Sequence, residues 1–140
     1  MSTLVIAEHD NSSLKKSVLN TITAASAIGE PVDVRDKEAL QAWVGRTAGT
    51  LDGIDIVVSN ASALATAPDE QAWQDGFEVD ILGAVRLVEA ALPSLKQSDA
   101  GSIVVIASTA ALEIYAGLRP YNSIKAALVN YVSGLSAELG

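Results

Sequence analysis

Apolar and polar positions follow two regimes along the chain. Short continuous apolar runs stand apart from longer stretches in which apolar residues recur every three or four positions. "TLVIAE" (3–8), "IDIVVSN" (54–60) and "GSIVVIAS" (101–108) are the clearest runs. Unbroken runs of this length predict strands buried on both faces. "AIGEPVDV" (27–34) predicts a fourth, weaker strand, because Gly29 and Pro31 interrupt it. Between the runs lie helical patterns. Residues 11–25 start at a capping Asn11 or Ser12 and place Leu14, Val18, Leu19 and Ile22 on one face. Residues 36–49 open with Asp36 as cap, carry Leu40, Trp43 and Val44, and meet Gly49 near their end. From 70 to 92, Trp73, Phe77, Ile81, Val85, Val88 and Leu92 predict a long helix with one apolar stripe, which Pro93 ends or follows closely. Residues 121–139 form the last helix. Strands that recur about every 25 residues with a helix between each pair predict an α/β fold of βαβ units around a parallel sheet.

Composition narrows this without changing it. The chain has 140 residues, 49% of them apolar, which suits one domain spanning 1–140. A net charge of −8, from 9 basic and 17 acidic residues, offers no footprint for nucleic acid or an anionic membrane surface. There is no cysteine, so disulfides, thiolate metal sites and a cysteine nucleophile are excluded. The single histidine, His9, reads as a loop residue and no metal site is expected. No basic segment precedes a long apolar stretch, and no run nears the ~20 residues of a membrane span, so a cytoplasmic protein is expected.

Ligands of open parallel sheets bind beyond the C-terminal strand ends. The residues there are Glu8, then Asp33 and Val34, then Ser59, Asn60, Ala61 and Ser62, and finally Ser108. Tyr121 and Lys125 open the last helix one turn apart, on one face. A phenol of ordinary pKa, about 10, is a poor base at neutral pH, and a nearby ammonium favours its ionised form. At ~4 Å and an effective dielectric near 20 that attraction is about 4 kcal/mol, before desolvation opposes it. Taken singly, each residue has a plainer reading. Asn60 and Ser62 are turn formers, Ser108 is a strand-end residue, Tyr121 packs its ring and Lys125 is solvated.

Taken together, "IDIVVSNAS", "GSIVVIAS" and "YNSIK" resemble the short-chain dehydrogenase/reductase family, in order and spacing along nearly the whole chain. The family's Asn-Asn-Ala-Gly turn resembles Ser59 to Ser62. Its catalytic serine, tyrosine and lysine match Ser108, Tyr121 and Lys125. "VDV" resembles the family's Asp-Val, which implies that Asp33 meets the adenine, with Val34 beside it. The resemblance implies a partial doubly wound sheet of about four strands with flanking helices. It also implies hydride transfer between a nicotinamide cofactor and an alcohol or ketone. Tyr121 would act as acid or base, Ser108 would bond the substrate oxygen, and Lys125 would hold ribose hydroxyls. Asn60, Ala61 and Ser62 would line the cofactor. It places Glu8 where a carboxylate accepts ribose hydroxyls and repels a 2′-phosphate, favouring NAD over NADP. A homodimer or homotetramer through the 70–92 and 121–139 helices is implied for the complete protein.

Two departures stand out. The family's Gly-rich phosphate turn has no counterpart ahead of "TLVIAEHD", since the first glycine is Gly29, so that stretch corresponds to the family's second strand. Nothing follows the Tyr-Lys helix, and an incomplete form of a longer enzyme is expected. An inactive fragment or interaction module on the same fold is the competing reading. "FEVDILGAV" (77–85) resembles the family's Val-Asn-x-x-Gly segment but carries Asp80, which lacks the amide donor. A phosphorylated α/β switch is set aside because Asn60 stands where its aspartate belongs.

Overall fold

A computed structural model describes residues 31–140. The expectations for 3–8, 11–25 and 27–30, with Glu8 and His9, lie outside the described residues. Within 31–34 no strand forms; residues 34–35 turn the chain instead. Pro31 has no N–H to give a ladder, and Asp33 bonds the Arg35 backbone N–H at 2.9 Å, which fixes the turn.

Helix α1, Lys37–Leu51, starts where the Asp36 side chain accepts the Ala39 N–H at 2.9 Å. It runs past Gly49 and stops at Asp52, whose φ of 59° is followed by Gly53 at 128°. The left-handed pair reverses the chain, and helical Gly49 does not. Strands β1, Ile56–Ser59, and β2, Ser102–Val105, are shorter than their apolar runs. They pair in parallel, Ile56 opposite Ser102 and Ser59 opposite Val105. Backbone bonds from Ser102 to Asp55 and from Ile106 to Ser59, both 2.8 Å, extend the pairing at either end.

The long helical stretch has three parts: α2, Glu70–Asp75, a π-helical segment, Gly76–Leu82, and α3, Gly83–Leu95. Asp69 caps α2 by accepting the Ala72 N–H at 2.8 Å. Pro93 lies inside α3 rather than ending it. In the last turn its missing N–H removes a single helical bond, which the remaining packing outweighs. The buried face also differs from the expected stripe. Ala72, Gly76, Asp80, Gly83, Ala84, Leu87, Val88, Ala91 and Leu95 point inward, while Trp73 and Phe77 are exposed. A π turn bonds i to i+5 and holds one residue more than an α turn, which rotates the face that follows. Helix α4, Arg119–Leu139, begins after Gly117 at φ 85°, with Pro120 in its first turn, and buries Pro120, Ile124, Lys125 and Leu128.

The main core joins Leu40, Trp43 and Val44 of α1, Ile54 and Val57 around β1, and Leu87, Ala91 and Leu95 of α3. Among the described residues these helices cover one face of the β1–β2 pair. On the other face Ile56, Val58, Val104 and Ile106 are 61%, 42%, 41% and 45% exposed.

Candidate functional site

Parallel, in-register pairing sends the chain out of β1 and β2 at the same edge. Residues 60–62 and 106–108 therefore leave the sheet side by side. Ser108 caps a 3₁₀ turn, Thr109–Ala111, its Oγ accepting the Ala110 N–H at 3.2 Å. That turn packs on α4, the helix that carries Tyr121 and Lys125. Accepting this bond leaves the Ser108 O–H to donate.

At the centre is a buried ion pair. Lys125 Nζ stands 2.9 Å from Asp80 Oδ2, and each residue is 3% exposed. Ser62 Oγ donates to the same Oδ2 at 2.7 Å, and the Ala63 N–H donates to Oδ1 at 2.7 Å. The π segment turns Asp80 inward, and Gly76 permits the close approach of α4. A Cβ at Gly76 would lie 3.0 Å from Ile124 Cγ1 and 3.1 Å from Ala65 Cβ. Lys125 Nζ is 5.6 Å from the Tyr121 ring centroid, within cation–π range. The loop beyond Ser62 is sharply folded. Leu64 has a φ of 49° and donates its N–H to Ser62 Oγ at 3.2 Å.

Asp33 and Val34 lie in the turn before α1, with Val34 packed against the long helix. The Arg35 guanidinium grips the Asp33 carboxylate, its nearest nitrogen 2.7 Å away, and hydrogen bonding to Asp33 holds Arg35 above its usual range. Val34 is buried against α3, where a Cβ at Gly83 would lie 2.9 Å from its Cγ2. Arg86 donates to the Arg35 carbonyl at 3.1 Å and the Val34 carbonyl at 3.5 Å, and pairs with Glu78 at 3.3 Å. Asn60 is exposed and Ala61 half-buried.

The structure thus joins Ser62, Asp80 and Lys125 by direct bonds and brings Ser108 and Tyr121 onto packed neighbours. It docks Val34 on α3, and Glu8 lies outside the described residues. Arg86, Gly76 and Gly83 were not singled out from sequence. Glycines inside a predicted helix cost stability, and that was the available signal of close packing. Asn122 was missed as well: its Nδ2 donates to the Tyr115 carbonyl at 2.9 Å. Its Oδ1 is buried without a hydrogen-bond partner among the described residues.

Among the described residues no group of three or more His, Cys, Asp or Glu is placed to hold a metal, and no helix is long and apolar enough to cross a membrane. A cavity of about 790 Å³ opens at the other end of β2, lined by Leu92, Leu95, Ile103, Val132, Leu135 and Leu139. It lies away from the strand ends where the polar residues gather.

The family model for short chain dehydrogenases matches residues 2–140. The chain is similar to isoepoxydon dehydrogenase patN of Penicillium expansum, at 36% identity over 125 residues, covering 89% of this chain and 48% of that protein. Among solved structures it resembles carveol dehydrogenase from Mycobacterium avium in complex with NAD, with a TM-score of 0.75 and 26% identity over 91% of this chain and 50% of that one. It also resembles a short chain dehydrogenase from Escherichia coli CFT073 complexed with NADPH, with a TM-score of 0.74 and 27% identity over 89% of this chain and 57% of that one. The chain spans about half the length of the curated relatives it matches.

Proposed function

As the chain belongs to the short-chain dehydrogenase/reductase family of oxidoreductases, we propose that it serves hydride transfer between a nicotinamide cofactor and an alcohol or carbonyl substrate. The observation that carries this reading is the packing of the Ser108-capped turn on α4, the helix that holds Tyr121 and Lys125, where two parallel strands end.

When bound, the nicotinamide supplies the hydride chemistry. The donors present suit its ribose: Tyr121 offers a hydroxyl, and Lys125 has further N–H donors besides the one given to Asp80. The backbone and side chains at Asn60 and Ala61 would border it, and the turn at Asp33 and Val34 would meet the adenine. Ser108 donates a hydrogen bond to the substrate oxygen. Tyr121 takes the proton from the substrate hydroxyl in oxidation and returns it in reduction. Lys125 supports the phenolate, and Asp80 holds Lys125. Glu8 favours NAD over NADP by the charge argument given above. Exposed Trp73 and Phe77 on the long helix, with Val129 on α4, support a homo-oligomer. We assign residues 1–140 to one partial domain of this fold.

Fluorescence titration with NADH, followed by alcohol oxidation assays, tests the reading. Saturable binding is expected, and Tyr121→Phe should lower turnover about 100- to 10,000-fold while binding persists. A folded chain that does not bind NADH overturns catalysis by this form and favours a non-catalytic module.

A further inference from the structure

Arg35 gives the Asp33 carboxylate its backbone N–H at 2.9 Å, its Nε–H at 3.1 Å to each oxygen, and Nη2 at 2.7 Å. The Nη1 hydrogens are not spent on Asp33. Both side chains reach the surface, Arg35 at 30% and Asp33 at 36% exposure. The backbone beneath them is fixed. Val34 is buried, the Asp36 N–H bonds the Asp33 carbonyl at 3.1 Å, and Arg86 holds the Val34 and Arg35 carbonyls from α3. The pair is therefore a rim of fixed position, with a planar guanidinium beside the carboxylate.

That pairing changes what the turn can recognise. A lone carboxylate only accepts hydrogen bonds, so it favours an amino group and repels a carbonyl oxygen. A guanidinium only donates, so it favours the carbonyl oxygen. The Asp33–Arg35 pair offers both. We infer that Arg35 is the residue that sets base specificity: it masks Asp33, presents its own donors, and makes the adenine end tolerant of a 6-oxo purine in place of the 6-amino purine. This inference rests on the function proposed above, which sets the 33–34 turn against the adenine, and adds to it the residue that governs the base.

Fluorescence titration of the chain with NADH and with reduced nicotinamide hypoxanthine dinucleotide tests it. The two ligands differ only at the purine, 6-amino in one and 6-oxo in the other. Wild-type Kd values for the two should agree within about threefold, the scale of one neutral hydrogen bond. An exposed ion pair contributes little stability, so replacing either member costs the fold little. Arg35→Met keeps an unbranched stem and removes the donors. It should weaken the hypoxanthine form about tenfold relative to NADH, as for one lost charge-assisted hydrogen bond. Asp33→Ser keeps an oxygen for the Arg35 backbone N–H and removes the carboxylate. It should tilt the ratio about tenfold the other way, and it keeps the test open if Arg35→Met does not fold. A folded variant with the wild-type ratio overturns the inference, as does a wild type that already favours NADH by more than threefold. A folded wild type that binds neither dinucleotide overturns the functional reading itself, and the role of Arg35 with it.

Discussion

Tyr131 lies on the same helix as Lys125 but has no part in the site. Burial, with smaller contributions from Glu89 and Glu138, raises its phenol above the ordinary 10.0. Below about pH 10 folded and unfolded chains both hold this proton, and the preference for the folded state is fully present. As pH climbs further, the unfolded phenol ionises first, so stability falls until the folded phenol follows. Urea midpoints should therefore drop above about pH 10 in the wild type and drop less in Tyr131→Phe. At this scale the sequence was legible where the signal is local: Tyr121 and Lys125 were read one turn apart on a single helix, and α4 carries both. It was not legible for Asp80, because its partners Ser62 and Lys125 are far away along the chain and only the tertiary fold joins them. Asp33 shows the intermediate case. Its partner Arg35 was visible two residues away, yet their mutual grip depends on a turn where a strand was expected.

The starts of α1 and α2 were readable, and the ends of α1 and α3 were not. Asp36 and Asp69 cap their helices with side-chain acceptors, a local signal that needs no neighbour. Gly49 and Pro93 are equally local signals, but packing carries α1 and α3 past them. The glycines of these helices make opposite forecasts. A Cβ at Gly83 would press on Val34 at 2.9 Å, and a β-branched neighbour cannot swing aside. Gly83→Ala should cost about 1–3 kcal/mol in urea unfolding, the usual penalty for overpacking. At Gly45, inside α1, a Cβ would meet nothing within 4 Å. Gly45→Ala should add about 0.5–1 kcal/mol by the same measurement, from helix propensity alone. Opposite signs at two helical glycines would separate packing from propensity.

For the molecule as a whole, alternating apolar runs and helical stretches were enough to give the α/β class, and the parallel pairing of β1 and β2 follows it. The side of the sheet that the helices take was not legible, since a continuous apolar run reads the same on both faces. The exposed Ile56, Val58, Val104 and Ile106 form an apolar surface of the kind that drives self-association. Val58→Thr combined with Val104→Thr should reduce concentration-dependent light scattering while far-UV circular dichroism stays unchanged. The rod from 70 to 95 behaves like a screw with a phase slip cut into its thread. Within the slip it offers Gly76 and Asp80 to α4; behind it, Gly83 and Leu87 turn to Val34 and the α1 side. Gaining or losing one residue inside the slip would re-index one half against the other, so the chain's length tolerance should be narrowest where this helix looks most regular.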